Sequence, residues 1–243
     1  MHKFKQWYQD LNLQSKFTLV LLLIVSIPAI AIIFFFYGKA YDMVVSYTIR
    51  QEQDRSAETA PLIEESIQKV LDVSEEISSL DFYQTLFKNA ITDSFTDLAD
   101  SPDAASFSRK VDQLIAGTPV TNVKIYMEVP KDSPSDINAL FDKEDLKDTF
   151  LSLDQVRGTY WYGIFRGSRV SQLFCPSFYL GTKEQKAYGD QAYITHASVI
   201  YKNGTYDAYM AVYYSGHDFQ QILSENLTLD GSVSYIMNER NNL

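Results

Sequence analysis

Cysteine is almost missing from this 243-residue chain. Cys175 stands alone, which excludes an intrachain disulfide and a cysteine-built zinc site. Histidine is nearly as scarce: His2, His196 and His217 show no HExxH or other ligand spacing, so no metal is expected. Cations are outnumbered, 21 Lys and Arg against 31 Asp and Glu, for a net charge of −10. Such a balance argues against sequence-independent nucleic-acid binding, which needs clustered cations facing phosphates. There is no GxSxG, no P-loop and no Gly-rich nucleotide loop. The acids are spread along helical stretches as a solvated surface, so neither an enzyme activity of this chain nor a cofactor is expected.

What is abundant is apolar and aromatic: 46% hydrophobic residues, with 17 Tyr and 15 Phe. From Phe17 to Gly38 no residue is charged. As a helix this run spans roughly 33 Å, matching a hydrocarbon core of about 30 Å. A cleaved signal peptide would have a shorter apolar region and a small-x-small site; this run ends in FFFY. Lys3, Lys5 and Lys16, opposed only by Asp10, give residues 1–38 a charge of +2 and leave −12 for the rest. The positive-inside rule then keeps the N-terminus in the cytoplasm and places the acidic bulk outside a plasma membrane crossed once.

The sequence divides into a cytoplasmic segment 1–16, a transmembrane helix 17–38, a helical stalk with flanking helices 39–95, an extracytoplasmic domain 96–226, and 227–243 as the start of a second, truncated module. In the stalk, Ile63, Ile67, Val70, Ser74 and Ile77 form one stripe. It suits either packing on the chain's own domain or a homodimeric stalk, and Pro61 predicts a kink or restart. Helices are expected over 82–89 and 103–116, the second capped by Ser101 and Pro102 and ended by Gly117.

Val123, Ile125, Met127 and Val129 alternate with Lys124, Tyr126 and Glu128, predicting a half-buried strand. Residues 131–157 read as short helices and loops. Strands are expected over 159–166, 171–179, 192–201 and 206–214, the last two joined by a hairpin through Asn203-Gly204. A helix starts at Ser215-Gly216-His217-Asp218, and a last strand is expected over 232–237. That ending reads as the N-terminal portion of a longer protein. The fold class is α+β: a transmembrane helix, a long exit helix and an antiparallel sheet of about five strands flanked by helices.

LNLQSKFTLVLLLIVSIPAIAIIFFFY at 11–37, VTNVKIYMEV at 120–129, TYWYGIF at 159–165 and AYITHASVIYKNGTYDAYMAVYYSGHDFQQIL at 192–223 resemble the N-terminal region of a bacterial YesM-type sensor histidine kinase, with its extracytoplasmic Cache domain. The resemblance implies a PAS-like sheet with a ligand pocket on one face and a dimeric receptor. The input would be passed to a cytoplasmic kinase absent from this chain. Chemoreceptors, membrane-tethered transcription regulators and anchored binding or adhesion proteins are the alternatives.

Aromatic residues and cations on the predicted strands are the candidate ligand-binding set: Trp161, Tyr162, Arg166, Arg169, Tyr193, Tyr209 and Tyr213. Some Cache sensors of amino acids carry an arginine two residues before a Trp-Tyr pair; here Thr159 holds that position and Arg157 lies four residues before Trp161. The expected ligand is therefore a carbohydrate-type small molecule, or a solute-binding protein docking on the domain.

Overall fold

The structure, a computed structural model, describes residues 12–92, 94–129, 135–201 and 204–225. The chain divides into two compact units, residues 1–58 and 59–243. The expected last strand and the truncated module at 227–243 lie outside the described residues.

Helix α1, Leu13–Ser79, is 67 residues long. Asn12 caps its start, its side-chain oxygen accepting from the Ser15 N–H at 2.8 Å. In the first unit, Leu21, Leu22, Ile24, Val25, Ile27 and Phe34 to Phe36 are all exposed. By length and composition this helix is a candidate membrane span. The expected restart at Pro61 does not occur, because the helix is assigned unbroken through it. Pro61 and Ala57, whose carbonyl loses its partner, both face solvent, so water can replace the missing bond.

The second unit is built on three long strands: β2 (Val120–Met127), β5 (Gln191–Tyr201) and β6 (Gly204–Tyr214). They pair antiparallel in the order β5-β6-β2. Short strands complete the sheet. β1 (Ala90–Ile91) and β4 (Gln172–Cys175) both pair with β5, at Ile200–Tyr201 and Ala192–Thr195. β3 (Phe150–Ser152) pairs with β2. The sheet is thus six-stranded and mixed, since β1–β5 and β2–β3 are parallel, where about five antiparallel strands were expected.

One face of the sheet is covered by α1 from Ile63 onward, α2 (Asp81–Phe87), α3 (Phe95–Ala99), α4 (Pro102–Ile115) and α8 (His217–Glu225). The stripe resolves into self-packing: Ile63, Val70, Val73, Ser74 and Ile77 are buried with Phe82, Phe107, Ile125 and Met210. Residues 59–91, read as stalk, therefore help form the same core as the sheet. α4 begins as expected, with Ser101 Oγ accepting from the Ala104 N–H, and Gly117 turns the chain at a φ of 77°. A small helix, α5 (Ala139–Asp142), adds Leu140 to this core.

The other face carries α6 (Tyr160–Gly167), α7 (Thr182–Tyr188) and a second core of Tyr126, Trp161, Phe165, Cys175, Ile194, Tyr209 and Tyr213. Two expectations fail here. Residues 159–166 form a helix rather than a strand, and residues 177–179 are a 3-10 turn. Thr159 accepts from the Tyr162 N–H and caps α6, while Trp161 and Phe165, one turn apart, face the sheet. Strand β2 is not half-buried either, because both faces are covered and Val123 to Met127 are all buried. Lys124 reaches the Asp148 carbonyl and lies over the Tyr188 ring at 4.8 Å.

Candidate functional site

The α6 face of the sheet holds two adjoining features, a buried polar network and an open cleft. The network centres on Glu184, at the third position of α7. Its carboxylate reaches back to accept from the Gly181 N–H at 3.0 Å, one half of a capping box. It also accepts from the Trp161 indole N–H, 3.2 Å to each oxygen, and from the Tyr213 hydroxyl. The Tyr126 and Tyr213 hydroxyls are 2.8 Å apart. All four side chains are buried, so this carboxylate is satisfied wholly by protein donors. It is positioned to lock α6, α7, β2 and β6 together.

Burial raises the pKa of Tyr126 and Tyr213, with the Glu184 charge adding to both. Burial also pushes the Cys175 thiol up, again with Glu184 adding, so this cysteine is a poor nucleophile. Tyr209 is pushed up to about 12, chiefly by burial and next by Asp207. Each of these tyrosines is held neutral by the fold, so its contribution to stability is complete below the unfolded value of about 10. That contribution is lost as pH rises from there toward and through the folded value. Urea midpoints should be flat up to about pH 10 and then fall, the unfolding free energy dropping by up to about 1.4 kcal/mol per pH unit for each tyrosine involved. Midpoints unchanged to pH 12 would contradict the buried hydroxyls.

The cleft lies at the C-terminal end of α6 and has a volume of about 430 Å³. Phe165, Arg166, Ser168, Arg169, Val170 and Ser171 form one wall, and His196, Asp207 and Tyr209 come from the paired strands β5 and β6. His196 Nε2 and Asp207 Oδ1 are 3.0 Å apart, and the His196 ring packs on Tyr209 at 5.1 Å between centroids. The His196 backbone N–H donates to the Ser171 carbonyl at 2.8 Å, which fixes the α6–β4 connection against β5.

The predicted residues therefore separate. Arg166, Arg169 and Tyr209 line the cleft. Tyr162 is half-buried against Tyr209, ring centroids 5.9 Å apart, just behind it. Trp161 and Tyr213 are fully buried in the Glu184 network, as core. Tyr193 faces the opposite side of the sheet, where its hydroxyl donates to Gln172 at 2.7 Å. Arg157 is outside the cleft too, its guanidinium 2.8 Å from Asp154 and 3.9 Å from Glu128.

Sequence reasoning missed Glu184, Tyr126, His196 and Asp207 as members of this region. Gly181-Thr182-Lys183-Glu184 was a readable helix start, a cap position followed three residues later by Glu. Nothing local marked Asp207, whose pairing with His196 is set by strand register. Among the described residues no group of three or more His, Cys, Asp or Glu side chains is arranged to hold a metal. Comparison of the chain with known families, curated proteins and solved structures finds no match in any of the three.

Proposed function

We propose that this chain is the membrane-tethered, ligand-sensing input region of a signalling protein, with the cleft beside α6 as its sensing site. The observation that carries the reading is that cleft: about 430 Å³, within the size range of small-molecule sites, floored by a nearly buried tyrosine and rimmed by charged side chains. Support also comes from α1, one helix that contains both the exposed apolar run and the buried stripe from Ile63 to Ile77. The Cache-type resemblance supplies the signalling context, with a histidine kinase as the output. A homodimer belongs to this reading. Val70, Val73 and Ile77 are buried within one chain, so the dimer would pair through other residues.

Two measurements test the reading. In intact cells, a Lys183→Cys variant should react with a membrane-impermeant thiol reagent while the wild type, whose Cys175 is buried, does not. Labelling of the variant only after lysis would place the domain inside. The full chain in nanodiscs should also be melted against sugars, amino acids, organic acids and phosphates. A ligand at 100 times its Kd adds about 2.7 kcal/mol, which is several degrees for a domain of this size. No shift from any class would sink the sensing role.

A further inference from the structure

We infer that the cleft takes a small oxyanion, a ligand bearing a carboxylate or phosphate group, rather than a neutral sugar. The inference rests on the reading above that this cleft is the ligand site. It comes from a count of hydrogen-bond donors against acceptors.

Arg166 and Arg169 both line the cleft, and neither makes an ion pair among the described residues. That is notable in a chain with 31 acids and 21 cations. Arg157, only nine residues before Arg166, is taken by Asp154 and Glu128. The one acid lining the cleft, Asp207, has an oxygen committed to His196. Two exposed arginines, each with five N–H donors, are left on the wall of the same cleft.

Tyr209 is the independent observation. Its residue is 3% exposed, it lines the cleft, and its hydroxyl has no hydrogen-bond partner among the described residues. The hydroxyl sits among the cleft charges, since both Asp207 and Arg166 act on its ionisation. Its oxygen is not one of the buried unpaired atoms, so it is open to the cleft, where it can donate to what enters. A phenol is protonated at neutral pH, so this hydroxyl is a donor there.

Two arginines, a phenol and the Ser171 hydroxyl can donate here, against the Asp207 carboxylate and the Ser168 hydroxyl, which already donates to the Ile164 carbonyl, as acceptors. A sugar carries no charge to meet two arginines, which the single carboxylate of Asp207, already bonded to His196, does not balance. A carboxylate or phosphate only accepts, and it matches the guanidinium fork.

The test is calorimetric titration of the full chain in phosphatidylcholine nanodiscs, in chloride buffer, with inorganic phosphate, succinate or glucose. Phosphate or succinate should bind, and which of them does so identifies the anion. Arg166→Gln and Arg169→Gln should each weaken that binding about tenfold or more, as loss of a charge-assisted hydrogen bond does. Tyr209→Phe should weaken it severalfold at an unchanged melting temperature, because the hydroxyl bonds none of the described residues. Anion binding that survives both arginine changes would overturn the inference, as would a melting loss in Tyr209→Phe without an affinity loss. Glucose binding with no anion binding would overturn it and leave the sensing role standing. Silence from all three at millimolar concentration would also overturn it, and the broader screen above then decides the sensing role separately.

Discussion

Glu184→Ala should destabilise the folded unit by about 3 kcal/mol or more, because it leaves several buried neutral donors without an acceptor. The reason is the number of donors that lose their acceptor at once. The Trp161 indole N–H, the Gly181 N–H and the Tyr213 hydroxyl all end on this one carboxylate. Trp161 and Tyr213 are fully buried, so water cannot replace it without opening the core. Each orphaned donor costs about 1–3 kcal/mol. Glu184→Gln should cost less, about 1–3 kcal/mol, because its oxygen still accepts while its NH2 group confronts one of the same donors. Lys183→Ala, one residue away and exposed, should stay within about 0.5 kcal/mol of wild type. Urea denaturation followed by tyrosine near-UV circular dichroism measures all three. A Glu184→Ala protein within about 1 kcal/mol of wild type would show that the network is ornamental.

How far the sequence foretold this region depends on the kind of signal each residue carried. The central hairpin was legible because turn chemistry and two aromatic-rich runs agree, but Tyr201 pairs with Gly204, so Gly204 opens β6 instead of lying in the turn expected at Asn203-Gly204. Its parity was legible too. Pairing Tyr193 with Val212 puts it on the face opposite Tyr209 and Tyr213, so the hairpin alone argues against grouping those three tyrosines. The segment after Thr159 was ambiguous for a physical reason. Residues four apart, such as Trp161 and Phe165, share a face in both a strand and a helix. Aromatic strand preference then pulls toward the wrong answer, and the Thr159 cap settles it the other way. Alternation failed for β2 because it assumes one wet face, whereas helices cover both sides of this sheet. The His196–Asp207 pair, the Glu184 network and the cleft depend on contacts between elements, which no local pattern carries.

The second large effect concerns where the folded unit begins. Val70→Asp should unfold it, or cost at least about 3–5 kcal/mol, because a carboxylate would replace an apolar side chain that is fully buried. Val70 shares a core with Val73, Ile77, Phe82 and Phe107, and through them with Ile125 and Met210 of the sheet. A stalk that merely paired two copies would behave differently. In that case the substitution would abolish a dimer and leave the sheet's own stability intact. Ile77→Ala gives a milder version, about 2–5 kcal/mol, by leaving a cavity at a fully buried site. Leu62→Asp is the matched control on the exposed side of the same helix and should be nearly neutral. The readout is the near-UV signal of the core tyrosines in urea, measured beside the oligomeric state by light scattering. Loss of the tyrosine transition in Val70→Asp would make α1 from Thr59 onward part of the folded core. A shift of that segment's packing would then be a shift of the sheet's own support.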